Sequence, residues 1–264
     1  MGSVLTVEFP PFKLHAGQEK FVSCLASEAA YIGGVGAGKS VALIVRAVLL
    51  AHQFPNNKIL ITRKTYRSLN DTTRGTFYEV VPPGLVAGEE KANDVTHIHC
   101  SGGGTSTIFW RSFEDSPADW QKFRSTDYGA IFIDEASEAP SGLVDVLVGR
   151  LRTKVPYTSI NFVSNPTPDT HWLYKRFLGK GVDKSKRQLF HGSTYENKAN
   201  LPAEYISKLE EAYKDRPELI RIMLNGEFGY IPQGLPIFLS YRKNTGGRAW
   251  HVRDVVEPVE GMFI

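Results

Sequence analysis

A loop of the pattern G-x-x-x-x-G-K-[ST], Gly33-Gly34-Val35-Gly36-Ala37-Gly38-Lys39-Ser40, joins a short apolar stretch, Ala29 to Ile32, to a segment of helical spacing from Lys39 to about His52. Glycines let the backbone close into a tight loop whose N–H groups point inward at phosphate oxygens, and the helix that follows adds its N-terminal dipole. In such a cradle Lys39 would neutralise the β- and γ-phosphates of ATP, and the Ser40 hydroxyl would ligate Mg²⁺. With 24 glycines in 264 residues, chance would supply roughly 0.02 such matches. The strand before it and the helix after it are the setting this chemistry requires.

The rest of the chain alternates apolar strands with helices, the signature of a mostly parallel sheet covered on both faces. A helix is predicted over Gln18 to Glu28, after Pro10-Pro11. Strands are predicted at Lys58 to Thr62, Ala130 to Ile133 and Ser159 to Val163, and helices at Tyr66 to Val80 and from Ser141. Thr96 to Cys100 and Thr107 to Ser112 read as a hairpin around Gly102-Gly103-Gly104. Pro117 opens a helix behind a cap at Asp115 or Ser116. After His191 come two polar helices, Pro202 to Lys214 and Pro217 to Asn225, the second closed by Gly226. Gly234 to Ile264 is irregular, and the chain ends in an apolar run that suggests a cut before another domain. A division follows: a core over 1–190, then a small lid and linker over 191–264.

Ile131-Phe132-Ile133-Asp134-Glu135 is an apolar strand ending in two acids. A buried strand of a parallel sheet delivers its last residues to the carboxyl edge, beside the phosphate loop. Asp134 would hold Mg²⁺ and Glu135 would polarise the attacking water. Ser164-Asn165-Pro166 ends the next strand, where a polar pair can touch the γ-phosphate or simply turn the chain. Arg124, ten residues before Asp134, could stabilise transition-state charge or be an exposed helix-end arginine. Gln18 could read an adenine edge. His97 and His99 share a strand face without a completing ligand set and read as structural.

Composition sets outer bounds. The length suits one large domain or one with a small appendage. The net charge of +3 permits a nucleic-acid partner without arguing for one. Cys24 and Cys100 read as free thiols. No apolar run is long enough to span a bilayer, and the N-terminus lacks a signal pattern.

Taken in order, Gln18, Gly33 to Ser40, Arg124, Asp134-Glu135 and Ser164-Asn165-Pro166-Thr167 with His171-Trp172 resemble the large terminase subunit of tailed bacteriophages, the motor that packages double-stranded DNA into a procapsid. The most specific stretches are FRSTDYGAIFIDEASEAP (123–140) and NFVSNPTPDTHWLYKRF (161–177). The resemblance implies a P-loop NTPase of the additional-strand, catalytic-glutamate class, a mostly parallel sheet with helices on both faces and a small C-terminal lid. It implies that Gln18 is the adenine-side glutamine, Ser164-Asn165-Pro166 the coupling motif, and Arg124 an arginine finger offered to a neighbouring subunit. Arg63, in ITRKTYRSL, matches an arginine-bearing stretch; with Lys64, Arg67 and Arg74 it forms a candidate DNA or phosphate patch. The implied partners are double-stranded DNA, the portal protein, the small terminase subunit and further copies in a ring, in the host cytoplasm and docked on the portal, with no membrane. The family's nuclease would lie beyond Ile264, so ATP hydrolysis without DNA cleavage is expected. A single-lobe helicase-like ATPase and a non-enzymatic nucleotide-binding module are the competing readings; helicases usually carry two such lobes.

Overall fold

The computed structural model describes residues 13–114 and 116–230; the Pro10-Pro11 segment, the Asp115 cap and Gly234 to Ile264 lie outside them. In chain order the regular elements are α1 (Ala16–Val22), β1 (Glu28–Gly33), α2 (Lys39–Gln53), β2 (Lys58–Arg63), α3 (Tyr66–Ser68), a π-helical turn (Leu69–Arg74), α4 (Gly75–Val80), β3 (Val86–Glu90), β4 (Val95–His99), β5 (Thr105–Ser112), a 3₁₀ segment (Asp119–Ser125), β6 (Ala130–Ile133), α5 (Ser141–Val148), β7 (Ser159–Ser164), α6 (Trp172–Leu178), β8 (Arg187–Gly192), α7 (Tyr205–Tyr213), α8 (Pro217–Leu219) and a second π-helical turn (Ile220–Leu224).

The strands form one eight-stranded sheet in the order β3-β4-β5-β2-β6-β7-β1-β8. From β5 to β8 every pairing is parallel; β3 and β4 add an antiparallel edge. Because side chains alternate across a strand, β1 sends Ala29 and Tyr31 to one face and Ala30 and Ile32 to the other. The first face packs under α1, α2 and α4 through Phe21, Leu43, Val48 and Phe77. The second packs under α5 and α6 through Leu143, Leu147, Leu173 and Phe177. Burial on both faces explains why the central strands are nearly all apolar.

Strand β7 lies between β1, which leads into the phosphate loop, and β6, which ends at the acids. That inserted strand brings Ser164 and Asn165 between the two. It is the additional strand that the sequence resemblance implies.

Several boundaries differ from the sequence reading. The first helix runs from Ala16 to Val22 instead of Gln18 to Glu28. Glu28 is taken by β1, where it pairs with Ile160 and Arg187 and its carboxylate binds Arg176 and Arg187, so the chain must turn before it. The segment after Pro117 is a 3₁₀ helix, not an α-helix. The hairpin strands are Val95–His99 and Thr105–Ser112. Residue 190, the expected boundary of the core, falls inside β8.

Candidate nucleotide-binding and catalytic site

Parallel pairing brings the carboxyl ends of β1, β2, β6, β7 and β8 to one edge, where each hands its last residues to the site. β1 runs into the glycine-rich loop. Gly38 adopts φ +71°, and a Cβ there would lie 2.3 Å from Gln18 Nε2, so both backbone and space demand glycine. The Val35 N–H donates to Met223 O at 2.7 Å and that of Ala37 to Gly34 O at 3.2 Å. Not every loop amide therefore points inward; those of Gly38 to Ser40, where α2 begins, have no intrahelical partner. Lys39 Nζ donates to Gly34 O at 2.7 Å, Gly33 O at 3.2 Å and Asn165 Oδ1 at 2.8 Å. Burial lowers the pKa of its ammonium, opposed by the charges of Glu135 and Asp134.

Asp134 is buried at the end of β6. Its Oδ1 accepts from the Glu135 N–H at 3.0 Å. Its Oδ2 accepts from Thr73 Oγ1 at 2.6 Å, Ser40 Oγ at 3.4 Å and Arg63 Nη1 at 3.5 Å. Arg63 Nη2 also lies 3.9 Å from Glu135 Oε1. Glu135 occupies the left-handed region, with φ 49° and ψ 52°. Burial, and then the Asp134 charge, raise its carboxyl above the usual glutamate value, while Lys39 and Arg63 pull it down. A cleft of about 290 Å³ is lined by Val35, Gly36, Gly38, Lys39, Ser40 and Val41 together with Glu135 and Asn165. Its donor set is hard oxygen, a hydroxyl and a carboxylate side by side. That suits Mg²⁺, which binds through one or two such groups plus phosphate oxygens and water.

The end of β7 does more than turn the chain. Besides the Asn165 bond to Lys39, Ser164 Oγ accepts from the Ser137 N–H at 3.2 Å. Pro166 follows and leads to α6, whose first residues grip the same acid loop: His171 Nε2 lies 3.2 Å from Ser137 O, and Trp172 Nε1 donates to Ala139 O at 2.7 Å. Gln18 is buried with both ends of its amide engaged, accepting from the His15 N–H at 3.0 Å and donating to Gly38 O at 2.9 Å. It supports the loop's backbone in this state.

Arg124 is not brought into the cleft. It is exposed at the end of the 3₁₀ segment, and its carbonyl accepts from Arg150 Nη1 at 2.7 Å. The four basic residues after β2 do not form one patch. Arg63 turns to the acids. Arg74 pairs with Asp94 at 3.1 Å and lies over the Trp110 ring. Arg67 is 92% exposed, beside Asp71. Lys64 is half-buried. His97 pairs with Glu90, and among the described residues no group of three or more His, Cys, Asp or Glu is placed to hold a metal ion. Cys24 and Cys100 are free and buried. No helix among the described residues is long and apolar enough to cross a membrane.

Sequence reasoning missed Thr73, Thr194 and Asn197. Thr194 Oγ1 donates to Val35 O at 2.6 Å and Asn197 Nδ2 to Gly36 O at 2.7 Å, tying the segment after β8 to the phosphate loop. Gly226, at φ +74°, closes the second π-helical turn as expected, and a Cβ there would lie 2.9 Å from Gly34 N. Polar residues in polar segments carry no periodic signal; only the requirement that loop carbonyls find donors points to them.

Residues 27–227 match the family model described as phage terminase large subunit. The PBSX phage terminase large subunit of Bacillus subtilis (strain 168) is 27% identical over 216 residues, covering 75% of this chain and 48% of that protein. The chain thus spans about half the length of that relative. Among solved structures, the large terminase of a thermophilic bacteriophage superposes with a TM-score of 0.69 at 17% identity, covering 82% of this chain and 54% of that one; the same protein is also known in complex with ADP. The ATPase domain of the Thermus phage P74-26 large terminase superposes with a TM-score of 0.60 at 19% identity, covering 83% of this chain and 95% of that one. These likenesses are ones of fold, and with a family match that spans most of the sequence, the chain belongs to the phage terminase large subunit family.

Proposed function

We propose that this chain is the ATP-hydrolysing motor domain of a viral terminase large subunit, which drives double-stranded DNA into a procapsid. The observation that carries the reading is the convergence on one cleft of Lys39, Ser40, Glu135 and Asn165, with Asp134 buried directly behind Ser40 and β7 set between the phosphate-loop strand and the acid strand. Family membership and the ADP complex of the thermophilic phage terminase support it.

In this reading the later amides of Gly33 to Ser40 cradle the phosphates. Lys39 exchanges its bonds to Gly33 O and Gly34 O for phosphate oxygens and neutralises charge there. Ser40 and Asp134 hold Mg²⁺, which when bound offsets the charge on the β- and γ-phosphate oxygens. Glu135 orients a water and takes its proton, a task suited by a carboxyl raised above its ordinary value. Ser164-Asn165-Pro166 couples the γ-phosphate position to the acid loop, since Asn165 touches Lys39 and Ser164 touches Ser137. Gln18 faces the adenine side, and Arg124 serves a neighbouring subunit's site. The segment after β8 acts as the lid, bonded to the loop through Thr194 and Asn197. Of the candidate DNA contacts, Arg67 is the exposed one and Lys64 is half-buried, while Arg63 and Arg74 act within the fold. Portal protein, small terminase subunit and further copies in a ring are the assembly partners, in the host cytoplasm.

The test separates binding from turnover. Glu135→Gln keeps the shape and loses the base, so it should bind Mg·ATP yet hydrolyse it at least about 100-fold slower. Phosphate release and fluorescent-nucleotide binding measure the two. Normal turnover in that variant would overturn the assignment of Glu135, and normal binding by Lys39→Ala would overturn that of the loop.

A further inference from the structure

Three threonines lie on the helical segment after β2, and one behaves differently. Thr72 donates to Ser68 O at 2.6 Å and Thr76 to Thr72 O at 2.9 Å. That is the local bond a helical threonine ordinarily makes to a carbonyl of the preceding turn. Thr73 is fully buried and reaches outward instead, donating to Asp134 Oδ2 at 2.6 Å. The contacts of Ser40 and Arg63 with the same oxygen are longer, 3.4 and 3.5 Å. Thr73 belongs to the π-helical turn Leu69–Arg74. Such turns insert a residue and shift the direction of the side chains around them, and they recur at functional sites. In the same turn Thr72 Oγ1 accepts from Arg63 Nη1. Two consecutive threonines therefore hold two members of the charged network.

We propose that Thr73 is a positioning residue for the Asp134 carboxylate. It fixes the side-chain torsions so that Oδ2 stays beside Ser40, ready for Mg²⁺. This rests on the reading of Asp134 as the metal-side acid. The Glu135 N–H holds Oδ1 at 3.0 Å, so with Thr73 both oxygens are restrained. The hydroxyl does this without charge, unlike Arg63, whose guanidinium would repel an arriving cation. Oδ1 accepts one bond, and at Oδ2 only the Thr73 bond is short, those of Ser40 and Arg63 being 3.4 and 3.5 Å, so each oxygen retains lone-pair capacity. Partners that orient a metal ligand from behind are worth roughly 10- to 100-fold in metal affinity or activity.

The experiment uses the full chain and a fluorescent N-methylanthraniloyl ATP, titrated with magnesium chloride and compared with EDTA. Thr73→Val keeps the branched shape and removes the hydroxyl; Thr73→Ser restores it. Thr73→Val should need roughly 10-fold more Mg²⁺ for half-maximal nucleotide binding, with affinity in EDTA unchanged. Thr73→Ser should match the wild type. A merely structural threonine would alter melting and leave the Mg²⁺ midpoint where it was. A wild-type midpoint in a folded Thr73→Val protein overturns the proposal. Should Thr73→Val fail to fold, Thr73→Ala decides: a roughly 10-fold shift of the Mg²⁺ midpoint in folded protein supports the proposal, and a wild-type midpoint overturns it. The two readings fail separately. If the wild type binds nucleotide without regard to Mg²⁺ and Asp134→Ala behaves identically, Asp134 itself has been misassigned. If wild-type binding depends on Mg²⁺ and Asp134, and Thr73→Val does not move it, only the role of Thr73 is lost.

Discussion

Glu135 combines a left-handed backbone, with φ 49°, and a half-buried carboxylate beside a second acid. The backbone alone costs about 1 to 2 kcal/mol for a residue with a Cβ. Such a cost persists where surrounding structure enforces it, and here the enforcing bonds are those of Ser137, His171 and Trp172. Glu135→Gly should relieve it. Glycine loses about 0.5 to 1 kcal/mol of that gain to its freer unfolded chain. The variant should therefore be as stable as the wild type or up to about 1.5 kcal/mol more stable, while phosphate release falls to background. Chemical denaturation checks the first half; a clear loss of stability would mean that the Arg63 contact contributes more than the strain removes. Gly38→Ala is the converse. It places a Cβ 2.3 Å from Gln18 Nε2 at φ +71°, so it should cost more than about 1 kcal/mol and weaken nucleotide binding. Unchanged melting and binding would contradict that. At this scale Gly38, Lys39, Ser40 and Asp134-Glu135 were legible because fixed spacing and backbone chemistry demand those residue types. Thr73 was not, since a threonine within a helical pattern looks alike whether it bonds to its own helix or across to an acid.

Arg46 sets the relation between elements on the first face. It lies on α2 and is 1% exposed. It donates to Phe21 O at 2.7 Å, Val22 O at 2.8 Å, Asn161 Oδ1 at 2.8 Å and Tyr157 OH at 2.9 Å. The last carbonyls of α1 have no helical partner, and Arg46 supplies one. A single side chain thus ties α1, α2 and β7, the elements that carry Gln18, the phosphate loop and Asn165. Arg46→Ala would take the donor from Asn161 Oδ1 and Val22 O, at roughly 1 to 3 kcal/mol each, whereas Phe21 O keeps the Cys24 N–H at 3.3 Å and the Tyr157 hydroxyl still donates to Ala26 O. A loss of about 3 kcal/mol or more in urea denaturation is expected; a loss below about 1 kcal/mol would show that water or a shifted helix replaces it. Strands β1, β2, β6 and β7 were readable because burial on both faces makes them short apolar runs. β3, with sequence VAGEE, is a half-exposed antiparallel edge without a pattern. β8, RQLFHG, mixes polar and apolar residues and among the described residues pairs only with β1. The π-helical turn was invisible because no residue type marks the insertion and the buried residues Leu69, Thr73, Phe77 and Val80 still fall three or four apart.

At the scale of the whole molecule, the position of Arg124 bears on whether copies of the chain work together. Tyr128, just before β6, donates its N–H to Arg150 O at 2.8 Å, and Arg150 Nη1 donates to Arg124 O at 2.7 Å. Those bonds place Arg124 by the amino end of β6, whereas Glu135 follows its carboxyl end. The exposed arginine therefore lies toward the far end of β6 from the chain's own cleft, which favours a role at the site of a second copy. A lone monomer then lacks a charge that is worth on the order of 10³ to 10⁵ in phosphoryl transfer. Specific activity should rise with protein concentration, and Arg124→Ala should be nearly silent in dilute protein and severe in the assembled motor. Mixing Arg124→Ala with Glu135→Gln under associating conditions tests this directly. Some interfaces will pair an intact Glu135 with an intact Arg124 from the neighbour, and phosphate release should partly return. If light scattering shows association and activity does not recover, Arg124 either acts within its own subunit or is only an exposed arginine at the end of a 3₁₀ turn.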